Sequence, residues 1–161
     1  MKNEEKVKIN KLPIERWREY KKIRIQALKD YPDIFPYNWR VEVKKEKDKF
    51  HKQQITNAWG ENGLIILFAS KRKEFVGYIE AKMFKEKFYS HVVYLDSLVV
   101  SKKWQRKGVG EMLVKQLIRK IKDKPRIRKM KLDVIVGNRG AIRLYKKIGF
   151  SCNFFCFQSY Y

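Results

Sequence analysis

The chain has 161 residues, 44% of them hydrophobic, with four Trp, nine Tyr and ten Phe, a composition that excludes a disordered chain and suffices for one domain, 1–161, around one core. No apolar run approaches the length that spans a bilayer, and the opening residues, MKNEEKVKIN, lack the apolar stretch of a signal peptide, so a cytoplasmic protein with no membrane association is expected. The formal charge is +22, from 39 Lys and Arg against 17 Asp and Glu, which raises encounter rates with polyanions and repels polycations.

In chain order, Lys6 to Leu12 alternates Val7 and Ile9 with polar residues and is closed by Pro13, which predicts a short strand. Ile14 to Asp30 carries Trp17, Tyr20, Ile23, Ala27 and Leu28 at helical spacing and predicts an amphipathic helix. Tyr31 to Trp39, YPDIFPYNW, holds two prolines that forbid a continued helix and four aromatics that must cover something, either the core or a ligand. Arg40 to Ala58 is lysine-rich with sparse apolar positions, Val43, Phe50 and Ile55, and predicts a second, surface helix ended by Gly60 to Gly63.

The apolar run Leu64 to Ser70 suits a central strand, and a polar turn returns the chain as a strand over Phe75 to Phe84. Val92 to Val100, VVYLDSLVV, is the next strand, followed by a basic loop and a helix opening at Val109 whose Val109, Met112, Leu113, Leu117 and Ile121 share a face. A strand is expected over Met130 to Val136, then a helix presenting Ala141, Leu144, Tyr145 and Ile148 and stopped by Gly149, then one strand over Cys152 to Gln158. Cys152 and Cys156, four apart on a strand, are too far apart to pair with each other and are read as free thiols.

The basic loop carries chemistry. Gln105, Arg106, Lys107, Gly108, Val109 and Gly110 join a strand to a helix, where the unpaired N–H groups of the first turn and the helix dipole favour an anion. Glycine at 108 and 110 permits close approach of a phosphate oxygen, and the flanking cations add charge. The loop is neither a Walker loop, having no Gly-Lys-Ser/Thr, nor a completed G-x-G-x-x-G.

Two patterns in order, Q-x-x-G-x-G at Gln105 to Gly110 and N-x-x-A-x-x-L-Y-x-x-x-G-F at Asn138 to Phe150, make the chain resemble the Gcn5-related N-acetyltransferase (GNAT) family of acyl-CoA-dependent amine acetylases. They cover about the C-terminal third. The resemblance implies an α/β (α+β) fold, with a mixed, mostly antiparallel central sheet flanked by helices and a parallel strand pair around the CoA-binding helix. It also implies acetyl-CoA as co-substrate, no metal, and direct transfer from the thioester to a primary amine on a protein, peptide or small molecule. On that basis the 105–110 loop grips the diphosphate, backbone N–H groups of Leu98, Val99 and Val100 polarise the thioester carbonyl, Asn138 holds the pantetheine arm, and Tyr145 protonates the departing thiolate. A core tyrosine at helical spacing is the alternative for Tyr145. The aromatic loop at Tyr31 to Trp39 would border the acceptor.

A lysine amine must lose its proton to attack, at a cost of about 4.6 kcal/mol near pH 7, against about 1.4 kcal/mol for an α-amine. Asp96, mid-strand, and Asp133 are the two carboxylates placed to act as the base, and a paired structural carboxylate is the alternative for each. The net charge disfavours a polycationic acceptor such as a polyamine, leaving a protein or peptide amine or a small neutral amine. Relatives usually carry two strands after the last helix, and Ser151 to Tyr161 has room for one, so the acceptor pocket is either open or completed by another subunit, as in a homodimer. A basic nucleic-acid- or ribosome-binding module on the same fold is the rival reading, supported by the charge and by aromatics such as Trp104. It is not favoured, because the basic residues between Lys102 and Lys131 flank the phosphate loop and no RNA-recognition motif appears.

Overall fold

The computed structural model describes residues 6–35, 38–44, 47–59 and 63–151. The elements are β1 (Lys8–Asn10), α1 (Trp17–Asp30), α2 (Trp39–Glu42), α3 (Lys47–Trp59), β2 (Leu64–Lys71), β3 (Glu74–Met83), β4 (Val92–Val100), α4 (Val109–Lys122), β5 (Lys129–Leu132) and α5 (Arg139–Ile148). The five strands lie in sequence order in one sheet, with β1 to β4 antiparallel to their neighbours and β5 parallel to β4. The mixed sheet and its single parallel pair are as expected. Residues 36 and 37 of the aromatic loop, 60 to 62, and the strand expected over Cys152 to Gln158 with both cysteines lie outside the described residues.

The alternation of side chains along β2 and β3, interrupted in β3 by a bulge at Val76, builds two apolar layers. Ile65, Leu67, Ala69, Ile79 and Ala81 face α4 and α5, whose buried Leu113, Val114, Leu117 and Tyr145 complete that layer. Leu64, Ile66, Phe68 and Tyr78 face the other way, against Trp17, Tyr20 and Ala27 of α1 and Ile55 and Ala58 of α3. Burial on both faces explains why β2 reads as an unbroken apolar run.

β4 departs from this alternation at one point. Glu80 pairs with Ser97 while Ala81 pairs with Leu95, so Asp96 is an extra residue in a β-bulge. Before the bulge Val93 and Leu95 face α4; after it Leu98 and Val100 do, and Val99 faces α1.

Three expectations are corrected. The second helix is two, α2 and α3, because Glu42 turns inward beneath Arg24 and His51 instead of continuing a solvated face. Val43 and Phe50, read as its apolar positions, are exposed, and the buried stripe of α3 is His51, Ile55 and Ala58. In α4 the buried partner of Leu113 is Val114, and Met112 is 40% exposed. β5 ends at Leu132, four residues short of the expected Val136, since β4 offers it only Val92 to Leu95 as partners. No helix among the described residues is long and apolar enough to cross a membrane.

Candidate active site

The turn into α4 is built by backbone conformation. Past the 3-10 turn Lys102–Trp104, Arg106 (φ 58°) and Gly108 (φ 79°) both take left-handed conformations. Gly108 is the N-cap and contributes no side-chain cap; Met112 N–H donates to Gly108 O at 3.0 Å, so the N–H groups of the first turn precede the ladder. A Cβ at 108 would meet nothing within 4 Å, so glycine there serves the conformation and keeps the space before the helix open. At 110 a Cβ would lie 3.3 Å from Leu144 Cδ2, which is how closely α4 approaches α5.

Glu111 places a carboxylate in this otherwise cationic first turn. Its oxygens accept from Lys115 Nζ at 2.7 Å and from Lys147 Nζ at 2.6 Å, and these bonds hold its carboxyl down at about 2. Two ammonium groups thus cover the one negative charge beside the turn.

The strands part in front of this turn. β4 pairs with β5 only from Val92 to Leu95, and beyond the bulge the β5 side of β4 has no strand neighbour among the described residues. A cleft of about 1000 Å³ occupies the gap. One wall is Tyr31, Asp33, Ile34 and Phe35 from the loop after α1; the opposite wall is Asp133, Val134 and Ile135 after β5, with Asn138 and the α5 residues Ala141, Leu144 and Tyr145.

Of the residues singled out from sequence, all but Lys107 and Val109 line this cleft. Lys107 Nζ sits 5.1 Å from the Trp104 ring centroid, and the Val109 side chain is buried in the core, leaving only its backbone toward the turn. Asp96 on the bulge accepts from Lys82 Nζ at 2.9 Å. Asp133, just past the end of β5, accepts a hydrogen bond from the Tyr94 hydroxyl. Asn138 lines the cleft and caps α5, its Oδ1 accepting from Ala141 N–H at 3.1 Å. Tyr145 is 7% exposed and packs edge-on to Phe150, and burial pushes its hydroxyl up to about 12, so it holds its proton at neutral pH. Gln105 Nε2 donates to Val100 O at 3.0 Å and to the Tyr31 hydroxyl at 2.8 Å.

Sequence reasoning missed Tyr94 and Lys82, and it placed the Tyr31 to Trp39 loop beside the acceptor without singling out Tyr31 or Asp33. The period-2 rule could have found Tyr94, since it precedes Asp96 by two on one strand face. Asp33 and Tyr31 depend on where the loop lands, which no local pattern encodes. The lining carries both signs of charge: Arg106, Lys147 and the Glu111 carboxylate that Lys147 binds at the turn into α4, and Asp33, Asp96 and Asp133 with the rings of Tyr31, Phe35 and Tyr94 elsewhere on the wall.

Comparison with known proteins gives a consistent picture. The profile of the acetyltransferase (GNAT) family matches residues 25–150. A probable spermine N(1)-acetyltransferase of Bacillus subtilis subsp. natto (strain BEST195) is 34% identical over 61 residues, 38% of this chain, and the chain spans only 40% of that relative's length. Among solved structures, the PaiA N-acetyltransferase of Thermoplasma acidophilum in complex with coenzyme A superposes with a TM-score of 0.74 at 21% identity, over 92% of this chain and 91% of that one. A GNAT-family acetyltransferase of Streptococcus pneumoniae superposes with a TM-score of 0.78 at 18% identity, over 92% and 86%.

Proposed function

We propose, from the premise that this chain belongs to the acetyltransferase (GNAT) family, that it moves an acetyl group from acetyl-CoA to a primary amine of a small, multiply charged cation. The observation that carries the reading is the N-terminus of α4, opened by the exposed Gly108, at the gap between β4 and β5. The residues fit the coenzyme: a glycine N-cap with open space before it, and Arg106 and Lys147 close by, suit a diphosphate. Acetyl-CoA supplies the activated acetyl thioester.

The chain's own residues do the rest. The β5 side of β4 from Leu98 to Val100 offers backbone groups to the pantetheine amides and to the thioester oxygen, where an aimed N–H stabilises developing negative charge. The Asn138 carboxamide nitrogen donates to the same arm. Asp96, at the mouth of the gap, takes the proton from the incoming ammonium, directly or through a water. Asp133, oriented by the Tyr94 hydroxyl, holds a second charge of the acceptor. Tyr145, whose hydroxyl is protonated at neutral pH, gives its proton to the departing sulfur.

The acceptor class rests on the local wall. The +22 charge repels a polycation at long range, but salt screens that field over about 8 Å, whereas Asp33, Asp96 and Asp133 act at contact. Aromatic rings beside carboxylates suit an aliphatic ammonium chain, and the spermine acetyltransferase relative points the same way. The test is mass spectrometry of acetyl-CoA reactions with spermidine, a simple monoamine and a lysine peptide. Acetylated spermidine is the expected product. Acetylation of the peptide alone overturns the acceptor class, and no product from any amine without stabilisation by CoA overturns the enzyme.

A further inference from the structure

The Tyr31–Gln105 hydrogen bond joins two halves of the site that are 74 residues apart in sequence. Gln105 immediately precedes the left-handed Arg106 of the phosphate turn. Its carboxamide nitrogen is shared between Val100 O, at the end of β4, and the hydroxyl of Tyr31, so the side chain is a brace rather than a ligand group. Tyr31 is the C-cap of α1: its N–H donates to Ala27 O at 3.0 Å, and its own carbonyl accepts from Ile34 N–H at 3.1 Å, starting the turn that carries Asp33 into the cleft. A second contact runs parallel to the first, Lys102 Nζ to Asp30 Oδ1 at 3.1 Å, with the same ammonium 5.8 Å from the Tyr31 ring centroid. The far end of the acceptor-side loop is held separately, by Glu42 of α2 beneath Arg24 and His51.

We infer that Tyr31 is a positioning residue: its hydroxyl transmits occupancy of the phosphate turn to residues 31–35, so that coenzyme binding fixes the wall against which the amine docks. The inference rests on the proposed cofactor reading. Its physical basis is that a half-buried hydrogen bond gains strength when the donor stops moving, and Gln105 can be immobilised by a ligand on the adjoining turn. The hydroxyl does no chemistry. Its removal changes how far the wall responds to the coenzyme.

Amide hydrogen exchange of the full chain, with and without saturating CoA, compared between wild type and Tyr31→Phe, tests this. In wild type CoA should slow exchange both over 106–112 and over 31–35, the latter by about fivefold, the scale of one net hydrogen bond. In Tyr31→Phe the protection over 106–112 should remain and the CoA-dependent protection over 31–35 should vanish. Gln105→Met, and the double variant, should lose the same protection over 31–35 and no more, since both changes cut one link. A purely structural tyrosine would raise exchange equally with and without CoA, leaving the difference intact, and that outcome overturns the inference. So does wild-type protection confined to 106–112. Absence of protection over 106–112 in wild type overturns instead the cofactor reading on which the inference stands.

Discussion

At the scale of single residues, the site separates groups that bind from groups that react. Tyr145→Phe removes one hydroxyl from a buried ring and should lower kcat by about 10²- to 10⁴-fold, the range of a positioned proton donor, with CoA affinity changed less than twofold by calorimetry. Equal loss of binding would make Tyr145 a packing residue. Gly108→Val should act oppositely: a left-handed β-branched residue costs about 1–2 kcal/mol, and its side chain fills the space before α4, so CoA affinity should fall at least about tenfold with the fold retained. Asp96→Asn and Asp133→Asn are expected to divide the labour. The first should lower kcat and move the rise of the pH–rate profile to higher pH, and the second should raise the acceptor KM with kcat nearly kept. Identical kinetic signatures for the two would contradict separate roles. The motif residues were legible because their chemistry needs particular types at particular spacings. Tyr31 and Asp33 were not, since the loop that carries them has no repeating pattern and its course is set by Gln105 and Lys102 far along the chain.

At the scale of elements, the packing of α1, α2 and α3 on the sheet rests partly on buried polar groups. His51 is fully buried, its Nε2 3.3 Å from Glu42 O and 3.1 Å from Glu42 Oε2, with Arg24, Lys21, Tyr20 and Phe50 around the pair. Two acceptors at Nε2 and no partner at Nδ1 describe the neutral Nε2–H ring, and burial lowers its pKa from the ordinary 6.5. The unfolded chain therefore takes up a proton just below 6.5 that the folded chain refuses. This contribution to stability is full above 6.5 and declines as pH falls through the lowered value. Glu80 acts in the opposite sense: burial raises its pKa from 4.5, so its contribution is full below 4.5 and is lost as pH rises. Because the two overlap, the difference between wild type and His51→Gln isolates the ring. Wild type should lose more melting temperature than the variant between pH 7 and pH 5, and parallel curves would refute the assignment. This cluster is also why the sequence pattern predicts one helix over Arg40 to Ala58 where the structure has α2 and α3. Hydrophobic spacing cannot show that a Glu and a His face inward, since the reason is an Arg on another helix. β5 was overextended for a related reason: Val134 and Ile135 look like strand, but the bulge in β4 had already removed their partners.

At the scale of the whole molecule, the charge is unevenly deployed. Basic residues crowd the chain from Lys102 to Lys131, around the phosphate turn, while Asp33, Asp96 and Asp133 are among the residues that line the cleft. CoA affinity should therefore fall as salt rises from 50 to 300 mM, and at low salt CoA at 100 times its Kd should add about 2.7 kcal/mol to stability in a melting experiment. Salt-independent affinity would mean that the surrounding lysines do not steer the ligand. The order of strands and helices was legible because apolar runs, glycines and prolines punctuate the chain clearly, and alternation assigns the two layers of the core wherever no bulge intervenes. The extra residue in β4 was not, since VVYLDSLVV reads as a regular strand until its partner's register is known. That extra residue frees position 96 from the pairing on which the sheet depends. Another side chain there would alter what the mouth of the gap can do and leave the strand seated. Excising the position would restore regular alternation, with Leu95 still opposite Ala81, Ser97 still opposite Glu80, Leu98 and Val100 still toward α4 and Val99 still toward α1. Shortening would thus remove the carboxylate from the mouth of the gap and the local bend from the strand while the two faces of the sheet stayed in place.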